Sequence, residues 1–215
     1  MASMNKRYLV VLDVDSTLIE NEVIELLAAN AGSLEQVTAI TERAMRGELD
    51  FEQSLRERVA TLAGLPESLF DEVRKQVTVT RGVPELIAGV KAAGGHIGVV
   101  SGGFHEILDP LAEHLRLDFW RANRLEVTNG QLTGRVLGEV VDAAAKAQAL
   151  VEWAETTQTP ITRTVAIGDG ANDLKMMEAA GLSIAFNAKP IVRERADVIL
   201  DERDLSLVLG ILGLN

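Results

Sequence analysis

The 215-residue sequence contains no cysteine, which excludes disulfides, thiolate metal sites and cysteine nucleophiles. Basic side chains are outnumbered, 21 against 32 acidic ones. The net charge of −11 argues against a surface built to neutralise nucleic-acid phosphates. Long apolar runs are also missing. The first, beginning at Tyr8, is broken by Asp13 after five residues, too short for the apolar segment of a secretory signal. The last, residues 205–214, holds a serine and two glycines and falls well below the roughly 20 residues that span a bilayer. The expectation is a soluble, cytoplasmic protein with neither a nucleic-acid nor a membrane partner. Hydrophobic residues at 47% exclude disorder as the main state.

What the sequence does contain is alternation. Residues 8–14 (YLVVLDV) are a Val/Leu-rich run that reads as a strand buried on both faces, as in a parallel sheet. Similar runs occur at 97–101, 164–168, 182–186 and 198–200, with a further candidate at 118–122. Between them, residues 84–93, 105–115, 143–156 and 171–180 carry apolar side chains at three- and four-residue spacing. Strands alternating with amphipathic helices predict an α/β fold, a Rossmann-like open parallel sheet with crossover helices.

Two stretches interrupt that pattern. From residue 20 to 77 only helical signals appear. Val23, Ile24, Leu27 and Ala31 form a stripe that stops at Gly32. Ser33 is placed to cap a helix with Leu34, Val37, Ile40 and Met45 inside, and Gly47 ends it. Asp50 and Gln53 have the spacing of a capping box and open a helix carrying Phe51, Leu55, Val59 and Leu62. Residues 66–77 supply a fourth. The expected division is an α/β core over residues 1–17 and 78–215 and an inserted helical-bundle cap over 18–77. The second interruption is a small β-hairpin, with alternating residues 125–128 and 131–136 around the turn pair Asn129-Gly130, expected to project from the main sheet.

The chemistry-bearing residues fall at the strand ends. Asp13 and Asp15 leave the first strand, and ligands bind at the carboxyl end of a parallel sheet. A turn cap would account for one of these acids but not for the pair. Gly168-Asp169-Gly170-Ala171-Asn172-Asp173 leaves another strand and opens a helix. A helix cap needs only one of its polar residues. Carboxylates clustered this way suit a hard divalent cation, foremost Mg²⁺. Ser101-Gly102-Gly103 offers a hydroxyl and backbone N–H groups ahead of a helix, an anion site in outline. Lys146 stands in an otherwise alanine-rich helical stretch, where pattern alone would point it to solvent. His96, His105 and His114 are not at metal-ligand spacing and read as structural. Acids, a cation, an anion cradle and a metal site are the set that phosphoryl transfer uses.

In this order the sequence resembles the haloacid dehalogenase superfamily. That superfamily carries a strand-terminal Asp-x-Asp-x-Thr, then a Ser, a Lys and a Gly-Asp-x-x-x-Asp, here Asp13/Asp15/Thr17, Ser101, Lys146 and Asp169/Asp173. Within it, the stretches 15–18 (DSTL), 50–58 (DFEQSLRER), 99–104 (VVSGGF), 122–125 (ANRL) and 168–173 (GDGAND) are similar to the phosphoserine phosphatase family. Some members of that family carry an amino-acid-binding regulatory domain before the first catalytic strand, so the early strand here resembles the short form.

The resemblance implies hydrolysis of O-phospho-L-serine, the last step of serine biosynthesis, through an aspartyl-phosphate. It makes Asp13 the nucleophile and Asp15 the general acid/base, with Lys146 neutralising charge. Asp13, the Asp15 backbone carbonyl and Asp169 would hold Mg²⁺. Ser101, Gly102, Lys146 and Asn172 would hold the phosphate side of the substrate, with Thr17 and Asp173 in support. Arg58 would pair the substrate carboxylate and Glu22 its ammonium, while Met45 and Phe51 form apolar walls. From pattern alone, Arg58 could equally be a surface arginine, Glu22 a helix-start acid, and Met45 and Phe51 plain core. Rival readings are a phosphatase or phosphotransferase for another small phosphoester, and a non-catalytic phospho-receiver. The oligomeric state is not legible in the sequence.

Overall fold

The computed structural model describes residues 7–214; the expected ends of the core at residues 1–6 and 215 lie outside the described residues. Seven strands form one sheet in the order β4-β3-β2-β1-β5-β6-β7. They are β1 (Leu9–Leu12), β2 (His96–Phe104), β3 (Phe119–Thr128), β4 (Gln131–Leu137), β5 (Thr164–Gly168), β6 (Leu182–Phe186) and β7 (Val198–Leu200). Only β4 runs antiparallel to its neighbour. The apolar run at the start of the chain becomes the central strand because both of its faces are covered. Val10 and Leu12 join one apolar cluster. Leu9 and Val11 join another with Ala149, Leu150 and Trp153 of α7 (Ala143–Thr156) and Met176 of α8 (Leu174–Ala179). Since β1 is flanked by β2 and β5, the chain order reverses beside it. The crevice at the carboxyl ends of β1 and β5 is where such sheets bind ligands.

The helices between β1 and β2 are α1 (Val23–Ala31), α2 (Leu34–Met45), α3 (Phe51–Ala60), α4 (Leu69–Arg74) and α5 (Val83–Ala92). Gly32, at φ 72°, ends α1 in the left-handed conformation that favours glycine. Asp50 and Gln53 form the expected reciprocal box, with the Gln53 N–H donating to Asp50 Oδ1 (2.8 Å) and the Asp50 N–H to Gln53 Oε1 (3.1 Å). Leu27, Val37, Leu55 and Val59 of the inserted helices belong to the same apolar cluster as Val10 and Leu12 of the sheet.

Three local expectations are corrected. Ser33 does not cap α2; its hydroxyl sits 3.3 Å from Thr61 Oγ1 instead. Of the stripe expected inside α2, Val37 alone is fully covered; Leu34 is 41% exposed, and Met45, at 79%, lies where the end of α2 overhangs a cavity. The fourth helix is confined to α4, since the chain around residue 66 is taken up by strand-like pairing. Pro66 bridges Gln131, the Leu132 N–H donates to Leu65 O and the Gly64 N–H to Leu132 O, both at 2.8 Å.

That pairing also changes the hairpin. It continues β3 without a break, and it lies on the end of α3 rather than projecting freely. A Cβ at Gly134 (φ 81°) would come within 2.9 Å of Ala63 Cβ. A second tie between inserted helices and core arises in α6 (His105–Leu115). Pro110 lacks an N–H for the carbonyl of Glu106, and Arg74 of α4 donates Nε to that carbonyl at 2.9 Å. Among the described residues, no helix is long and apolar enough to cross a membrane.

Candidate active site

The backbone brings the strand-end acids together. The Asp13 N–H donates to Ile167 O at 2.9 Å, extending the β1–β5 ladder by one residue and holding Asp13 beside the end of β5. The chain then makes one wide turn over Val14–Leu18, with the Leu18 N–H donating to Asp13 O and the Ile19 N–H to Val14 O. Ser16 sits at φ 58° inside it, an uncommon conformation for a side-chain-bearing residue. The turn folds Asp15 back over the strand end, and the Ser16 hydroxyl donates to Glu22 Oε1 at 2.6 Å.

Lys146 is the centre of the charge arrangement. It is in the first turn of α7, fully buried, with Nζ 2.6 Å from Asp13 Oδ1 and 2.8 Å from Asp173 Oδ1. Pattern alone would turn it to solvent, but the buried acids hold it in. Burial opposes its charge, yet the two flanking carboxylates prevail and keep its pKa above the ordinary lysine value. Asp13 Oδ1 also accepts the Val14 N–H at 2.7 Å, while Oδ2 has no hydrogen-bond partner among the described residues. Asp173 Oδ2 accepts the N–H groups of Asp169 and Gly170, each at 3.1 Å.

One carboxylate oxygen from each of Asp13, Asp169 and Asp173 falls within 4.8 Å of the others. Burial, then the charge of Asp173, pushes the Asp13 carboxyl well above its usual range, and the same two causes push Asp169 up to about 6. Three hard oxygen donors gathered this closely are the donor set a divalent cation suits. Asp173, expected only in support, is one of the three. The Asp15 side chain is not, and the ligand expected of Asp15 is its backbone carbonyl. Asp15 itself is pushed up to about 8, first by burial and then by Glu22, a shift that favours its protonated form.

Above this floor lies a cavity of about 780 Å³. Asp13, Asp15 and Asp169 line its base, with Gly102 and Asn172 beside them, and Glu22, Met45, Phe51 and Arg58 face it from the inserted helices. Arg58, on α3, is mostly buried and donates Nε to Ser54 O at 3.2 Å. Its terminal nitrogens have no hydrogen-bond or ion-pair partner among the described residues. Burial lowers its pKa, against the opposing pull of Glu22 and Asp15. The Phe51 ring lies over Gly102, where a Cβ would come within 2.9 Å of ring Cζ. Ser101, Lys146, Thr17 and Asp173 lie buried behind the cavity wall, and the Thr17 hydroxyl has no partner among the described residues.

The anion cradle differs from its expected form. β2 continues through Gly102 and Gly103 to Phe104, and α6 starts only at His105, so the glycines belong to an irregular strand end rather than a helix start. The Ser101 hydroxyl accepts the Gly103 N–H at 2.7 Å, which leaves its own hydrogen to donate elsewhere. Lys189 was not anticipated: its N–H donates to Asp169 O at 2.9 Å, its charge partly opposes the rise in the Asp169 pKa, and it lines the cavity. Its place after the carboxyl end of β6 is the signal that could have found it.

Gly168 makes the acid cluster possible. A Cβ there would stand 2.4 Å from Asp173 Oδ2. Gly168→Ala therefore displaces the carboxylate that Lys146, Asp169 N and Gly170 N share. The expected cost is about 1–3 kcal/mol in denaturant melting and on the order of a hundredfold in rate. An active, equally stable variant would show that Asp173 tolerates displacement.

Comparison with known proteins agrees with this geometry. Residues 10–178 match the family model of haloacid dehalogenase-like hydrolases. A phosphoserine phosphatase of Streptomyces coelicolor is 56% identical over 206 residues, 96% of this chain and 50% of that protein; the chain thus spans half the length of that relative. A phosphoserine phosphatase of Streptococcus thermophilus is 50% identical over 204 residues, 95% of each chain. Among solved structures, a phospho-aspartyl intermediate analogue of phosphoserine phosphatase superposes with a TM-score of 0.89 at 45% identity, covering 95% of this chain and 98% of that one.

Proposed function

The chain belongs to the haloacid dehalogenase-like hydrolases, and from that premise we propose that it hydrolyses O-phospho-L-serine to L-serine and phosphate, in the cytoplasm, with Mg²⁺ as cofactor. The observation that carries the reading is the pairing of two unlike halves in one cavity. Asp13 at its base is backed by the buried Lys146 and Asp173. Its roof has an arginine with unengaged terminal nitrogens and a glutamate, Arg58 and Glu22. A phosphate suits the first, and the carboxylate and ammonium of an amino acid suit the second.

Asp13, Asp169, Asp173 and the Asp15 backbone carbonyl would hold the Mg²⁺. When bound, the ion neutralises phosphate oxygens and lowers the repulsion between an incoming carboxylate and the phosphoryl group. The protein's own residues do the rest. Lys146 fixes Asp13 Oδ1, so Oδ2 is the oxygen left to attack phosphorus. The Asp13 Oδ2–P bond forms as the bond from phosphorus to the serine oxygen breaks, and protonated Asp15 gives its proton to that oxygen. The Asp15 carboxylate then takes a proton from water as the water oxygen attacks phosphorus, releasing phosphate and regenerating Asp13. The Ser101 hydroxyl and the Gly102 N–H hold phosphate oxygens meanwhile, with Asn172 at the rim. Phe51 and Met45 supply apolar wall to the cavity.

The test is a phosphate-release screen across phosphoserine, phosphothreonine, phosphoethanolamine and sugar phosphates, with product analysis in the presence of an added alcohol acceptor. Phosphoserine is expected to give the highest kcat/KM, with free serine and inorganic phosphate in equal amounts. Preference for phosphoethanolamine or a sugar phosphate would remove Arg58 as a carboxylate reader, and transfer to the alcohol would make the chain a phosphotransferase.

A further inference from the structure

Behind the anion loop, outside the cavity, lies Asn123, a residue of β3 that is 1% exposed. Its Nδ2 donates to Gly102 O and its Oδ1 accepts the Val141 N–H, both at 2.8 Å. Gly102 belongs to the loop after Ser101. Val141 directly precedes Asp142, which caps α7 by accepting the Ala145 N–H at 2.9 Å, and α7 carries Lys146. One side chain therefore joins the backbone beside the anion cradle to the backbone that carries the buried cation.

The need for such a bond comes from the irregular strand pairing. Val100 pairs Arg121 and Phe104 pairs Asn123, so Ser101, Gly102 and Gly103 stand against Ala122 alone. Ladder geometry cannot serve that stretch, and side chains take over. The Gly102–Gly103 peptide is gripped at both ends, its carbonyl by Asn123 and its N–H by Ser101 Oγ. Opposite, the Ala122 N–H donates to His105 Nε2 at 3.1 Å. The His105 ring is held in turn by Asp109, whose Oδ1 lies 2.6 Å from Nδ1 and also accepts Trp120 Nε1 at 2.9 Å. An amide is the side chain of this size that offers both a donor and an acceptor.

We propose that Asn123 is a positioning residue for the phosphoryl site. By fixing the Gly102–Gly103 peptide it sets the direction of the Ser101 hydroxyl, and through Val141 it sets the separation of that hydroxyl from Lys146. The inference rests on the reading of Ser101–Gly102 as the phosphate-holding loop. Asn123→Asp isolates the effect. It keeps the acceptor for Val141 but sets a carboxylate oxygen against the Gly102 carbonyl.

Inorganic phosphate as a competitive inhibitor is the probe. In Asn123→Asp, its inhibition constant and the KM for phosphoserine are expected to rise together on the order of tenfold, with a smaller change in kcat. A lowered melting temperature with an unchanged phosphate inhibition constant would mean a merely structural residue and would overturn the proposal. If the variant does not fold, amide exchange in the unaltered chain decides. Added phosphate is expected to slow exchange at Gly103 and Val141 together, and slowing at Gly103 alone would overturn the link. A wild-type chain that hydrolyses phosphoserine yet shows neither effect of phosphate removes the loop assignment and this inference with it. A chain with no hydrolysis at all removes the proposed activity first.

Discussion

Asp13→Asn is expected to abolish phosphoserine hydrolysis, by on the order of 10⁴-fold or more, while the protein stays folded. The substitution keeps the shape of the side chain and the acceptor oxygen for the Val14 N–H, but an amide cannot form the phosphoryl-enzyme bond. Stability should hold for an electrostatic reason. The folded environment disfavours the ionised Asp13 carboxylate, through burial and then through Asp173, so removing its charge relieves repulsion that a neutral amide does not feel. Lys146 retains Asp173 at 2.8 Å as a partner, which avoids the large penalty of an unpaired buried charge. The measurements are turnover and thermal melting side by side. Retained turnover removes Asp13 as nucleophile, whereas lost turnover with lost folding assigns it only a structural part.

Arg58→Ala tests the other half of the cavity. Loss of a charge-assisted, two-pronged contact is worth on the order of a hundredfold in kcat/KM for phosphoserine. An aryl phosphate has no carboxylate to lose and should be hydrolysed by the variant nearly as well as by the unaltered enzyme. The comparison controls for damage to the base of the site, because in the proposed mechanism both substrates would use Asp13, Asp15 and Lys146. Equal losses on the two substrates would show that Arg58 supports the fold of α3 without reading the substrate. Arg58 has little to do in that fold beyond its bond to Ser54 O, which favours the first outcome.

Strand ends and helix punctuation were legible in the sequence because their physics is local. Asp13, Asp15 and Asp169 stand at the exits of apolar runs, and the structure gathers them at one rim of the sheet. The Asp50–Gln53 box and the Gly32 stop formed as their spacing implied. What could not be read depends on contacts between distant segments. The chain around Pro66 gives up helix for pairing with Gln131 and Leu132. Met45 is apolar and in phase with a core stripe, yet α2 turns it toward open space over the cavity. Ser33 looks like a cap but meets Thr61 instead. The reach of β2 through Gly102 and Gly103 depends on Asn123 and His105, which no local pattern connects to that loop. Lys146 lies between: its helix was legible, but its burial follows only from the two carboxylates that converge on it.

Acid-quenching the protein during turnover of phosphoserine, followed by mass-spectrometric mapping of the digested chain, shows whether Asp13 becomes covalently phosphorylated. One added phosphoryl group is expected on the peptide containing residue 13, on an acyl linkage that hydroxylamine cleaves, with no such adduct in Asp13→Asn. Full turnover with no phosphorylated peptide, or with the group on another residue, would contradict it.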